Sequence, residues 1–420
     1  MSVLSELRAL TPRQRSAVLA SYLGWTLDAF DFFIMVFILK HIATEFGTDV
    51  KAVAEGLFWT LAMRPVGALL FGLAADRFGR RPTLMVNVLL YSMVEFASGF
   101  APSLTALLIL RAIYGVAMGG EWGVGASLTM ETIPPKTRGI ISGLLQAGYP
   151  TGYLLASIVF GLFYDHIGWR GMFMVGAAPA LLVLYIRSKV EESPAFVARQ
   201  HIVDKPSLWT VVSRHSGLLI YAVLLMTAFN SFSHGTQDLY PTFLTVQHQF
   251  STQTVSWIAI VYNIGAIAGG LLFGMWSERI GRRRAIIIAS LLALPAIPLW
   301  AYSATPVMLA IGAFVMQVAV QGAWGVIPVH LNELSPDEIR GTFPGVVYQL
   351  GNLLASKNAV LQAGLAESHG NDYSYALALT VAVVAVVIVI LTAIGKEARG
   401  VVFGSSARGP SRATDSVILK

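Results

Sequence analysis

Apolar runs long enough to cross a lipid bilayer recur along this chain, and they constrain its fold more than any single residue does. They fall at about 16–39, 54–75, 83–101, 103–131, 139–163 and 168–187. After a polar stretch at 188–214, six more follow at about 215–245, 253–276, 284–303, 306–331, 342–366 and 373–395. A transmembrane helix needs about 20 apolar residues, so each run is about one span. The 420 residues are 55% hydrophobic and only 12% charged, with a mean hydropathy of +0.66. A soluble domain carries roughly 25% charged residues. This balance excludes a soluble enzyme, a disordered protein and a nucleic-acid binder, and predicts an all-α membrane protein of twelve helices. The absence of cysteine excludes disulfides, thiolate metal sites and thiol catalysis. Residues 1–15 are polar and no cleavage pattern precedes the first run, which predicts a retained first helix and not a signal peptide.

The loops alternate in charge. With the N-terminus inside, 23 of the 29 lysines and arginines fall on inner segments, and the outer loops hold only Lys40, Lys51 and Arg170. Basic residues stay on the cytoplasmic side, so both termini are expected there. The net charge of +6 follows from this topology and calls for no nucleic-acid partner.

The two sets of six helices repeat. Gly72-Leu-Ala-Ala-Asp76-Arg77-Phe-Gly79-Arg80-Arg81 matches Gly274-Met-Trp-Ser-Glu278-Arg279-Ile-Gly281-Arg282-Arg283 at an offset of 202 residues. The same offset maps Trp122-Gly123 onto Trp324-Gly325, Glu131 onto Glu333 and Arg138-Gly139 onto Arg340-Gly341. Two six-helix bundles of one orientation imply a pseudo-two-fold axis along the membrane normal. The expected divisions are a first bundle at 1–187, a cytoplasmic loop at 188–214, a second bundle at 215–395 and a polar, disordered tail at 396–420.

This pattern resembles the major facilitator superfamily, whose signature is the G-x-x-x-D-R-x-G-R-R run between helices 2 and 3. The resemblance covers nearly the whole chain. It implies a gate latch, closed in the outward-facing state, made by Gly72, Asp76, Arg77, Gly79 and Arg80 and echoed by Gly274, Glu278 and Arg279. Physically, glycines let helix ends approach closely, and Asp76 can lie near a helix N-terminus and a basic partner. Topology alone also keeps basic loops inside.

Ionisable side chains inside the runs are expensive and mark candidate sites. Asp28 and Asp31, three apart on helix 1, share a face, and a buried carboxylate pair suits a group that takes up and releases a proton. Arg64 on helix 2 lies eight residues from Gly72, about 12 Å and near mid-membrane. Its guanidinium can fork onto a substrate carboxylate or onto Asp28 or Asp31. Helix 4 carries Arg111 and Glu121 among glycines at packing spacing. Arg111 resembles the arginine of a second superfamily motif linked to proton coupling; its structural reading is an ion pair with Glu121 or a helix 1 carboxylate. Glu121 is ten residues away, about 15 Å, so a pair within one straight helix is disfavoured.

Helix 7 contains Asn230-Ser-Phe-Ser-His234-Gly-Thr-Gln-Asp238-Leu-Tyr-Pro241-Thr. Asn230, His234 and Asp238 form one polar stripe at four-residue spacing. Gly235 and Pro241 loosen the helix, as in broken helices that line binding sites. His234 can titrate near neutral pH if Asp238 supports it. This run resembles the helix 7 signature of lactate/pyruvate:proton permeases within the sialate:proton symporter family. Gly24-Trp-Thr-Leu-Asp28-Ala-Phe-Asp31-Phe32 resembles that family's first helix in both branches, and Gly119-Gly120-Glu121-Trp122-Gly123 fits the sialate branch equally. The short central loop leans away from the longer sialate transporters. On helix 11, Gln349 and Asn352 share a face at mid-depth, and the resemblance implies substrate recognition there; interhelical bonding is the plainer reading. Lys357 is a weaker anion anchor. Gln146, Tyr149, Asn263, Gln317 and Gln321 serve equally well as packing glue.

No nucleotide-binding motif, aspartyl-phosphate motif, hydrolase motif or metal cluster occurs, so neither enzyme activity nor a cofactor is expected. The sequence reads as a proton-coupled symporter of small monocarboxylates in a bacterial inner membrane. Its partners are a small organic anion, protons and lipid, and the resemblance implies a monomer. Arg64, Asn230, His234, Gln349 and Asn352 bind substrate, and Asp28, Asp31, Glu121, Arg111 and Asp238 couple the proton. A sialic-acid symporter, a membrane sensor on the same fold, and a scramblase or channel are the other readings.

Overall fold

The computed structural model describes residue 5 and residues 8–48, 50–199 and 208–403, and all regular secondary structure in them is helical. Asp204, Lys205, residues 404–420 of the expected tail and most of the first seven residues lie outside the described residues. The first half contains α1 (Pro12–Glu45), α2 (Val50–Phe78), α3 (Arg80–Ser98), α4 (Leu104–Thr132), α5 (Arg138–Val175) and α6 (Ala180–Lys189). The second contains α7 (Ser216–Gln237), α8 (Thr252–Ile280), α9 (Arg282–Ala301), α10 (Pro306–Leu334), α11 (Phe343–Ala355, resuming at Asn358–Ser368) and α12 (Tyr373–Ile394). Eight helices are each long and apolar enough to cross a membrane alone. The backbone turns back at Gly168 (φ 62°), so α5 and α6 together make two passes. Twelve passes in two six-helix bundles result.

Glycines set the packing. Gly115 and Gly119 of α4 lie so close to the backbone of Thr60 and Arg64 that a side chain on either would collide with α2. Gly265 and Gly269 of α8 meet α10 at Phe314 and Val318 in the same way. Without a hydrophobic effect between helices in lipid, such close van der Waals approach holds them together.

The halves meet at the end that carries the basic loops. Gly139 and Gly143 of α5 press on Gly274 and Gly270 of α8, and Gly123 of α4 presses on Gly345 of α11. Ser127 donates to the Arg340 carbonyl across this seam at 2.8 Å, and Ser142 accepts from the Val329 amide at 3.1 Å. Toward the opposite end the halves part around a cavity.

Candidate functional site

The repeated basic motif builds the same latch twice. Asp76 accepts from the Gly341 and Thr342 amides at 2.9 Å and from the Thr342 hydroxyl at 2.7 Å, which caps the start of α11. Glu278 accepts from the Gly139 amide at the start of α5. A carboxylate at a helix N-terminus satisfies orphan amides and meets the positive end of the dipole. Buried Arg80 ties Asp76 to Glu131, each at 3.0 Å, and buried Arg282 ties Glu278 to Glu333, each at 2.9 Å. Gly79 (φ 110°) and Gly281 (φ 98°) adopt backbone that side chains disfavour. The turn lets Glu192 and Glu397 accept the next two amides on each side. Arg77 and Arg279 point outward, and exposed Arg77 lies over Phe78.

The interior of the first half holds charge. Asp28, Asp31 and Glu121 are fully buried, and their carboxylate oxygens have no hydrogen-bond partner among the described residues. Arg111 binds Glu95 at 2.6 Å and Ser98 at 2.7 Å and stacks over Tyr114 and Phe173. The expected pairing of Arg111 with Glu121 or a helix 1 carboxylate is therefore corrected. Glu95 of α3 is its partner, a residue that sequence reasoning missed although it is the one charge in the 83–101 run. Arg64 is 3% exposed and makes no ion pair among the described residues; its guanidinium rests on the Met118 sulfur at 2.6 Å and over Phe32 at 5.5 Å. It is nonetheless the cation whose field acts most on Asp28.

The second half holds amides and a histidine. His234 bonds Asp238 at 3.2 Å through one ring nitrogen and Asn352 at 3.1 Å through the other, linking α7 to α11. Asn230, two turns before Asp238, is buried and donates to the Met226 carbonyl at 2.8 Å and the Tyr348 carbonyl at 3.4 Å, so its amide stitches backbone. Gln317 bonds Gln237 and Thr236, and Gln321 reaches Ser233 at 3.4 Å. The Gln349 carbonyl oxygen is buried without a partner. The helix 7 stripe ends where α7 breaks at Asp238, just before Pro241. Helix 11, expected to run unbroken, is interrupted at Ser356 and Lys357, and Lys357 is exposed.

His234, Asp238 at the end of α7 and Asn352 of α11 line a cavity of about 240 Å³ together with Phe58, Leu61 and Ala62 of α2. Arg64 stands one turn beyond Leu61 on α2, and its charge acts on His234, Tyr149 and Tyr348. The cavity thus sets the polar groups His234, Asp238 and Asn352 of one half against an apolar wall of the other, with buried Arg64 one turn further along α2.

Known proteins share this fold. The family model described as Major Facilitator Superfamily matches residues 18–250 and 237–415. The "Carboxylic acid transporter protein homolog" of Saccharomyces cerevisiae is 29% identical over 393 residues, which covers 87% of this chain and 64% of that protein. The sialic acid transporter NanX of Escherichia coli is 29% identical over 349 residues, or 82% of this chain and 85% of that protein. In fold, the chain matches the proton:xylose symporter XylE with a TM-score of 0.78 at 18% identity, over 93% of this chain and 98% of that one. This chain belongs to the Major Facilitator Superfamily: it is a multi-pass membrane transporter and not an enzyme.

Proposed function

We propose that the protein is a proton-coupled symporter of small monocarboxylates, of the lactate and pyruvate class, working by alternating access. The observation that carries this is Arg64. A guanidinium buried at mid-membrane without an ion pair among the described residues is costly unless an anion visits it. It lies one turn along α2 from Leu61, which lines a cavity together with His234, Asp238 and Asn352, and Asn230 and Gln349 lie on the same helices as His234 and Asn352. A carboxylate on Arg64 with its hydroxyl or keto oxygen toward His234 and Asn352 uses both halves at once. Asp28, Asp31 and Glu121 carry the proton, and Arg111 and Asp238 adjust their charge balance. One proton with one monoanion makes the cycle electroneutral. The basic end is cytoplasmic, as are both termini; the membrane is a bacterial inner membrane, the active form a monomer, and the moving bodies are 1–187 and 215–395. Arg77 and Arg279 belong with the latch through the charge they place at its rim.

The name of the E. coli relative favours a second reading, sialic-acid transport, so the test compares the two. Radiolabelled L-lactate uptake is measured in proteoliposomes with and without an inward proton gradient, with unlabelled sialic acid as competitor. Gradient-stimulated uptake indifferent to sialic acid is expected. Arg64→Gln lowers lactate affinity by about a hundredfold, since a buried charge-assisted pair is lost. Sialic-acid uptake without lactate uptake overturns the substrate class, and unchanged affinity in folded Arg64→Gln overturns the anchor.

A further inference from the structure

A second, small cavity of about 10 Å³ lies at the α1–α4 contact, lined by Ser21, Trp25, Glu121, Trp122, Gly125, Ala126 and Leu145. That is about the room one water molecule requires, provided polar groups are there to hold it. They are. Both Glu121 carboxylate oxygens and the Trp25 indole nitrogen are buried and without a protein partner. A carboxyl left bare in such a place is far costlier than one held by a hydrogen bond. The position of Gly125 locates the gap. A β-carbon built on it would stand 3.4 Å from the nearer Glu121 oxygen and 3.4 Å from the Ser21 hydroxyl. Both oxygens therefore border the same gap beside Gly125.

Ser21 continues the line. Its oxygen accepts from the Thr129 hydroxyl at 2.8 Å, and Thr129 also reaches the Ala17 carbonyl at 3.4 Å. From Glu121, the hydroxyls of Ser21 and Thr129 lead along the α1–α4 contact toward the basic end, where α4 finishes at Thr132. Ser21 itself donates to the Gly125 carbonyl at 2.9 Å, so the two hydroxyls form a continuous polar seam across the α1–α4 contact.

Resting on the proton-coupled reading above, we propose that this cavity holds one water bridging Glu121 to the Ser21–Thr129 hydroxyl pair. This bridge is the route by which Glu121 exchanges its proton with the basic side. In the step, the Glu121 O–H bond breaks and its proton passes to the bridging water. Once Ser21 turns from the Gly125 carbonyl to donate to Thr129, and Thr129 turns toward the basic side, that water gives a different proton to Ser21 and Ser21 releases its own to Thr129. Thr129 in turn releases one to bulk water admitted when the basic end opens, and rotation of the two hydroxyls resets the line. No electron pair leaves an oxygen and no co-reactant other than water is required.

Gly125→Ala is the selective probe. The added methyl sits at ordinary contact distance from both oxygens, so it fits without displacing the helices yet occupies the bridging position. Ser21→Ala is the second probe, removing the relay and leaving the cavity open. Reconstituted full-length protein is moved from H2O to D2O, and the Glu121 carboxyl band is followed by infrared difference spectroscopy, assigned with Glu121→Gln. In the wild type the band exchanges promptly. In Gly125→Ala and in Ser21→Ala exchange slows by about a hundredfold, the low end of what a positioned proton-transfer group supplies. In parallel, gradient-driven L-lactate uptake falls by a similar factor while lactate–lactate exchange at equal pH stays within about twofold. Exchange at wild-type speed in both variants, or no exchangeable Glu121 band, overturns the bridge. Lack of lactate uptake by the wild type overturns the transport reading instead, and the infrared result still decides the bridge.

Discussion

The two halves share a fold and a repeat, yet they differ at mid-membrane. At an offset of 202 residues the latch is preserved: Asp76, Arg80 and Glu131 answer to Glu278, Arg282 and Glu333. Deeper in, the correspondence fails. Arg64, Glu95, Arg111 and Glu121 of the first half answer to Ala266, Ile297, Ala313 and Ala323 of the second. Conversely, Gln317 and Gln321 answer to Gly115 and Gly119. The ends, which must engage alike for the halves to rock, stay symmetric. The centre is divided: the first half carries buried charge behind an apolar wall of Phe58, Leu61 and Ala62, and the second half offers His234, Asp238 and Asn352. Under the proposed function, a single anion between them meets both kinds of environment, which two identical halves do not offer.

The largest expected effect comes from removing one partner of the first half's buried ion pair. Arg111→Met leaves Glu95 buried and unpaired, and should cost about 3–5 kcal/mol. Adding Glu95→Leu gives this site the apolar character that Ile297 and Ala313 already have in the other half. Replacing a whole buried pair with apolar residues of similar size is often neutral. The double variant should therefore recover most of the lost thermal stability in detergent while transport stays impaired. A double variant as unstable as the single would show that the pair stabilises the bundle in its own right and is not held for function.

The latch should respond more modestly and unequally. Asp76 accepts three hydrogen bonds from the start of α11, whereas Glu278 accepts one from the start of α5. Losing a capping carboxylate costs about 1–2 kcal/mol. Asp76→Ala should therefore open the basic end more than Glu278→Ala. The chain has no cysteine, so Ser127→Cys, buried at the seam, reports opening through maleimide labelling. Labelling should rise by about tenfold in Asp76→Ala and less in Glu278→Ala. Equal rates would mean the seam yields as one unit regardless of which copy is cut.

Much of this architecture was legible because hydropathy and loop charge are summed properties. Twelve runs and a repeat survive errors at any one residue, and the helix 7 stripe announced a polar junction that the His234–Asn352 contact realises across helices. The partners were less legible. Spacing shows which residues share a helix face, but Glu95 and Arg111 meet between helices. Met118 beside Arg64 left no signal, because a thioether reads as any other apolar side chain. Of the arginines in each basic motif, only Arg80 and Arg282 turn inward to the carboxylates, a choice set by the glycine turns before them. Asn230 shares the polar stripe in sequence, but its amide is taken up by the Met226 and Tyr348 carbonyls.

The smallest expected effect tests the same division at the end opposite the latch. There Glu45 binds Arg170 at 2.8 Å, joining the end of α1 to the Gly168 turn, and Arg170 also donates to the Gly99 and Ala101 carbonyls. Two hundred and two residues on stand Gln247 and Asp372. Gln247 donates to Ser374 at 2.9 Å and accepts from the Tyr373 amide at 2.9 Å, so it joins the end of the broken helix 7 to the start of α12. The clamps occupy matching places, but one is ionic and the other is built from an amide. An exposed ion pair contributes no more than about 1 kcal/mol, and salt weakens it. Glu45→Ala should lower the melting temperature slightly at low salt and hardly at all near 1 M, where screening reaches about 3 Å. Gln247→Ala should give a small loss independent of salt, because its hydrogen bonds carry no net charge on the glutamine side. If both losses faded with salt, the amide clamp would owe its strength to Asp372, and the contrast between a charged half and a neutral half would hold only at mid-membrane.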